Sequence, residues 1–192
     1  MNENEVYELL QAGHLTMTVD TNVLYEINSF IKLCNKCNKI NEMPEYEIKI
    51  VISSLVHAEK LFDLKQDYGE QYDIDHIIKV LESKKVSIAP FEYHHAEAVA
   101  QLIGTQFPTV EEWRKFKRQE CMNCLGISRK TQYDIPGSGK ECGATVDWLI
   151  AGYAHAENYL LITHDKGNEF KPIKKKTTLK ILEKALMRIQ VK

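Results

Sequence analysis

Short apolar, β-branched runs alternate with stretches of helical spacing along this chain, and that alternation limits its fold more than any other feature. Leu15 to Val19, Val86 to Ala89 and Tyr159 to Thr163 each read as a short buried strand. The stretch Ile48 to Leu64 starts β-like and turns helical. Val23, Leu24, Ile27, Phe30, Ile31 and Leu33 recur at helical spacing, as do Ile74, Ile77, Ile78 and Leu81. The first of these helices is expected to fade through the Asn- and Lys-rich stretch that holds Cys34 and Cys37 and to end by Pro44. Further helices are expected over 3–12, 93–103, 144–155 and 178–189. Strands alternating with helices imply βαβ units and a mostly parallel sheet, so the fold class is α/β.

At 192 residues the chain suits a single domain. Residues 1–14 read as an N-terminal helical extension. Residues 105–143 are too long for an ordinary connection and read as an insertion. With 44% hydrophobic residues the chain can bury a core. No apolar run approaches the roughly 20 residues of a membrane span. The N-terminus lacks the basic and apolar regions of a secretory leader, so a cytoplasmic location is expected. In that setting the five cysteines read as thiols or metal ligands rather than disulfides. The formal charge is 25 − 27 = −2, which by itself gives no sign of a nucleic-acid partner.

Four acids stand out by position. Asp20 directly follows the first strand and Asp165 lies just beyond the last, where parallel sheets build sites. Asp147 sits in an apolar helix beside Val146, Leu149, Ile150 and Ala151, and Glu59 lies among Leu55, Val56 and Leu61. Charges on core-facing helices are costly unless paired or bound to metal. Converging carboxylates repel and raise one another's pKa, and a divalent cation removes that conflict. Mg²⁺ and Mn²⁺ favour oxygen ligands, and such a site suits phosphodiester hydrolysis. Three of them also have a plainer reading: Asp20 as a helix N-cap, Asp165 as a turn residue, Glu59 as a solvated helix position; Asp147, mid-helix among large apolar residues, is hardest to dismiss.

Four pieces in order resemble the motifs of the PIN-domain ribonucleases. They are Thr18 to Leu24 with Asp20 and Asn22, Ser53 to Phe62 with Glu59, Val146 to Ala154 with Asp147, and Leu160 to Phe170 with Thr163 and Asp165. Asp147 opens a D-x-x-I-A-x-x-A pattern, and Thr163 and Asp165 fill T-x-D. The fourth motif is longer than the family's, so the place of its last acid falls to Asn168 or Glu169. The resemblance implies a PIN-like three-layer α/β/α fold and Mg²⁺- or Mn²⁺-dependent cleavage of RNA. Asp20, Glu59, Asp147 and Asp165 would be the catalytic and metal-binding acids, supported by Asn22, Thr163 and Glu169. The small form most resembles VapC-type toxins, which implies an antitoxin partner and a homodimer. The rival reading is a non-catalytic module of the same fold that binds RNA or protein through its Cys-containing insertion.

Cys34 with Cys37 and Cys121 with Cys124 form two C-x-x-C pairs. That spacing lets both thiolates reach one tetrahedral Zn²⁺, which would staple the insertion to the first long helix. The competing reading is four reduced thiols with no shared role. Arg114, Lys115, Lys117 and Arg118 surround Trp113 and Phe116, a mixture that suits RNA phosphates and unpaired bases. Equally, the aromatics would anchor the helix while its cations are solvated. Lys171 and Lys174 begin a second basic cluster after Asp165, with the same choice between RNA backbone and solvent.

Overall fold

The structure is a computed structural model that describes residues 1–71, 73–124 and 145–189. Along the chain run α1 (Glu3–Gln11), β1 (His14–Val19), α2 (Thr21–Tyr25), α3 (Ile27–Ile40), β2 (Glu47–Ser53) and α4 (Ser54–Tyr68). There follow a 3-10 turn (Gly69–Gln71), α5 (Ile74–Ser83), β3 (Val86–Ala89), α6 (Tyr93–Gln106) and α7 (Val110–Cys124). The described chain closes with α8 (Val146–Ala156), β4 (Leu160–Ile162), β5 (Lys176–Thr177) and α9 (Leu179–Met187). Among the described residues no helix is long and apolar enough to cross a membrane.

The five strands form one sheet in the order β3-β2-β1-β4-β5, and every pair is parallel. Met17 stands opposite Ile50 on one side and Leu160 on the other, so β1 is central. Met17, Val19, Ile52, Leu160, Leu161 and Ile162 are fully buried, as expected of strands covered on both faces. The helices pack in two sets, α1 and α3 with α9, and α4 and α6 with α8. The chain builds outward from β1 through β2 to β3, then returns to the far side of β1 for β4. The order therefore reverses between β1 and β4, and crevices at such switch points hold ligands in open α/β sheets.

The structure refines three sequence expectations. The helix after β1 breaks at Glu26 and then runs on to Ile40. It persists because Phe30, Leu33, Cys34, Cys37 and Ile40 make one buried stripe at intervals of three and four. It ends at Asn41, whose side chain bonds Ile48 N and O at 2.7 and 2.8 Å and so starts β2. The expected N-terminal helix forms and packs into the fold: Val6 and Leu10 are core residues, α1 packs on α9, and His14 already lies in β1. Finally, the first part of the expected insertion is helical: α6 continues to Gln106 and α7 covers 110–124. Residues 125–143 lie outside the described residues.

Candidate active site

Asp20 ends β1 and caps α2 at once. Its Oδ1 accepts from Thr21 N at 2.8 Å, and its Oδ2 accepts from Asn22 Nδ2 and from the Thr163 hydroxyl, each at 2.7 Å. The Asn22 amide also donates to Asp165 Oδ2 at 3.0 Å, so one side chain ties together two acids 145 positions apart in sequence, from Asp20 to Asp165. Thr163 repeats the device in the other direction, donating to Asp20 and accepting from Asp165 N at 3.0 Å. Asp20 N bonds Ile162 O at 3.0 Å, which fixes the two strand ends side by side. These contacts lie at the carboxyl ends of β1 and β4, flanking the switch point.

Glu59 reaches the site through Thr21, whose hydroxyl donates to Glu59 Oε2 in a short bond between α2 and α4. Asp147 stands in the first turn of α8, half-buried. Burial pushes its carboxyl up to about 8, and the charged neighbours that add to this are Asp20, Glu169, Asp165 and Glu59, all acids. Burial likewise raises Asp20 to about 6, with Asp165 and Glu59 adding and the bonds from Thr163 and Thr21 opposing. The four expected acids thus share one electrostatic field, drawn from four separate segments of the chain.

The last acid of the loop after β4 is Glu169. It is buried, and burial first, then Asp165 and Glu120, raise its carboxyl. Its carboxylate lies so close over Gly167 that a Cβ there would come within 1.6 Å of Oε1. Asn168 instead accepts from Lys171 Nζ at 2.6 Å on the exposed side of the loop.

Two contributors escaped the sequence reading. Thr21 looks like an ordinary first helical residue, and only the fold shows that its hydroxyl holds Glu59. Glu120 lies seven residues after Trp113 and four after Phe116, hence on the same face of α7. That face packs on α8 and the end of α6: Trp113 meets Trp148 edge-on at 5.8 Å between ring centres, and Phe116 lies tilted against Phe107 at 4.8 Å. Trp148 adjoins Asp147, so the aromatic anchor carries Glu120 toward the acids.

The oxygens of these acids do not crowd together. Among the described residues, His94, His95 and Glu157 are the one group of three whose ligand atoms all lie within 4.8 Å of one another. Ten residues of α8 separate Asp147 from Glu157, about 15 Å along a helix. The histidine group itself reads as a helix cap. Glu92 N–H donates to His95 Nδ1 at 2.7 Å, so the ring proton sits on Nε2 and is given to Glu157 Oε1 at 2.9 Å. In that tautomer Nε2 has no lone pair for an ion. The wider spacing of the acids suits Mg²⁺, which keeps several of its own waters between itself and the protein.

Other expected residues fall elsewhere. Cys34 and Cys37 are 1% and 2% exposed in the core, and burial pushes both thiols up to about 12. Packing explains this pair without an ion. The side chains of Cys121 and Cys124 lie outside the described residues, as does Cys142. Trp113 and Phe116 are partly buried anchors, and Lys117 Nζ stands 5.6 Å over the Trp113 ring. Arg114, Lys115 and Arg118 are exposed around that anchor. Lys171 and Lys174 are exposed beyond the site, and Lys171 borders it.

No family model matches the chain, and no match is found for it among curated proteins.

Proposed function

We propose that the chain is a PIN-like ribonuclease that hydrolyses phosphodiester bonds with Mg²⁺ or Mn²⁺. One observation carries this reading: acids from four segments converge at the β1–β4 switch point, and among the described residues the charged neighbours that raise Asp147 are acids. Like charges of this kind, buried or half-buried except for Asp165, fit a divalent cation. A bound cation would supply charge neutralisation and Lewis acidity toward a phosphodiester.

The chain's own residues do the rest. Asp20 and Asp165 would hold the ion, with Asp147, Glu59 and Glu169 closing the acidic wall. Three of the roughly four acceptor sites of Asp20 are already engaged, which fixes its rotamer and leaves an oxygen lone pair for the ion. Asn22 and Thr163 set the separation of Asp20 from Asp165. Thr21 holds Glu59.

The test is cleavage of single-stranded RNA by wild-type protein with Mn²⁺, with EDTA, and by Asp20→Asn. Activity that needs the metal and vanishes with the substitution is the expected result. Cleavage indifferent to both refutes the proposal. The rival binding module predicts RNA or protein binding with no carboxylate-dependent Mn²⁺ uptake, which titration calorimetry reads directly.

A further inference from the structure

Beside the acids lies a cavity of about 330 Å³ between the loop after β4 and the start of α9. Thr163 and Asp165 form its inner wall, so it opens directly onto the acidic site. Lys166, Lys171, Lys176 and Thr178 form much of the rest. The charge therefore reverses over one side chain: acids lie on one side of Asp165, and three ammonium groups on the other.

Among the described residues, two of those ammoniums are positioned without being neutralised by a direct ion pair. Lys171 Nζ donates to Asn168 Oδ1, and Lys176 Nζ donates to Phe170 O, both neutral acceptors. Lys176 is half-buried, and Glu169 is the acid that acts on it from the site side. Thr178 caps α9, so the helix N-terminus adds its partial positive charge to the same wall. Met1, His164, Thr177 and Ile181 complete the lining. The polar groups beyond Asp165 are mostly ammoniums and hydroxyls, donors that suit a compact oxyanion.

We propose that this cavity holds the phosphate next to the scissile one in a single-stranded RNA, with Lys166, Lys171 and Lys176 as its cations. The inference rests on the nuclease reading for the identity of the strand. It assigns polarity to the site: the cut phosphate sits among the acids with the metal, and its neighbour is clamped by lysines. Contacts to phosphate do not read sequence, so binding is equal for different bases.

The experiment measures binding of fluorescein-labelled oligouridylate and oligoadenylate to Asp20→Asn protein in EDTA, over a range of salt concentrations. Lys171→Gln and Lys166→Gln should each weaken binding about three- to tenfold for both sequences. Each should also lower the salt-dependence slope by about 0.7, the value for one phosphate contact on a single strand. Lys184→Gln, an equal charge loss elsewhere on α9, is the control. Equal effects of Lys184→Gln and Lys171→Gln, or no measurable RNA binding, overturn the proposal. Wild-type protein that never cleaves RNA, with the lysine effects still present, defeats the nuclease reading and with it the place beside a scissile phosphate, and leaves the cavity as a phosphate site for single-stranded RNA. Normal cleavage with no lysine effect does the reverse.

Discussion

Replacing Asp147 by Asn should stabilise the ion-free protein while abolishing its metal-dependent chemistry. The carboxyl titrates near 8 in the folded chain and near 3.8 when unfolded. Between these values the unfolded chain has released its proton and the folded protein has not. The unfolded state therefore gains from each rise in pH, and stability falls from 3.8 upward until the loss is complete above 8. At pH 7 the gap spans about three units, and at about 1.4 kcal/mol per unit the ceiling is ~4 kcal/mol. Asp147 and Asp20 titrate as a coupled group, so one substitution should relieve about half of this, ~2 kcal/mol. For a chain of this size that is about 4–8 °C in Tm. Asn keeps the shape of the protonated acid and has nothing to ionise. Thermal melts in EDTA from pH 5 to pH 9 should show wild type losing stability as pH rises, while Asp147→Asn is flatter and higher at pH 7. Added Mn²⁺ should raise the wild-type Tm and leave the variant unmoved. Identical pH profiles for the two proteins, or a variant less stable at pH 7, would refute the account of Asp147 as a buried acid among acids.

Other substitutions separate positioning from packing. Asn22→Ala frees Asp20 and Asp165 from each other and should lower kcat about 100-fold while the melting curve barely moves; an unchanged kcat removes Asn22 from the site. Gly152→Ala puts a Cβ 2.1 Å from Val99 Cγ2, where α6 and α8 meet. It should cost about 1–3 kcal/mol and be partly rescued by Val99→Ala in a double-mutant cycle. Cys34→Ser buries a hydroxyl in the core and should cost about 1–3 kcal/mol equally with and without a zinc chelator. A wild-type Tm that drops on chelation, in a protein whose metal content shows stoichiometric zinc, would restore the two-pair zinc site.

The α/β class was legible because its signals are local: short apolar, β-branched runs mark strands covered on both faces, and a period of 3.6 marks helices within a few residues. Punctuation was less legible: α3 runs through Cys34 and Cys37 to Ile40 instead of fading there. The spacing that lets two thiolates share an ion also puts two small side chains on one helix face, and Phe30, Leu33 and Ile40 continue that buried stripe. β5 has two residues, Lys176 and Thr177, and no pattern can mark so short a strand. The strand order, and with it the switch point, comes from long-range pairing that no local signal carries.

The site divides along the same line. Asp20, Asp147 and Asp165 stood out because an acid at a strand end or amid apolar residues is locally improbable. Thr21 and Glu120 are locally ordinary, and only tertiary packing gives them a partner. The N-cap and site readings of Asp20 were set against each other in the sequence, and the structure shows why they need not compete. Capping uses Oδ1 through Thr21 N, while Oδ2 takes Asn22 and Thr163. The cap fixes the carboxylate plane, and the plane determines where the remaining lone pair points. A short helix after β1 thus orients the first acid of the site. Asp20→Asn would keep the cap through its one amide oxygen, since Asn caps about as well as Asp, but it removes the charge and puts an NH2 where Oδ2 accepts from Asn22 and Thr163. Loss of Mn²⁺ binding in Asp20→Asn with only a small change in Tm would separate the capping role from the metal-binding role of one side chain.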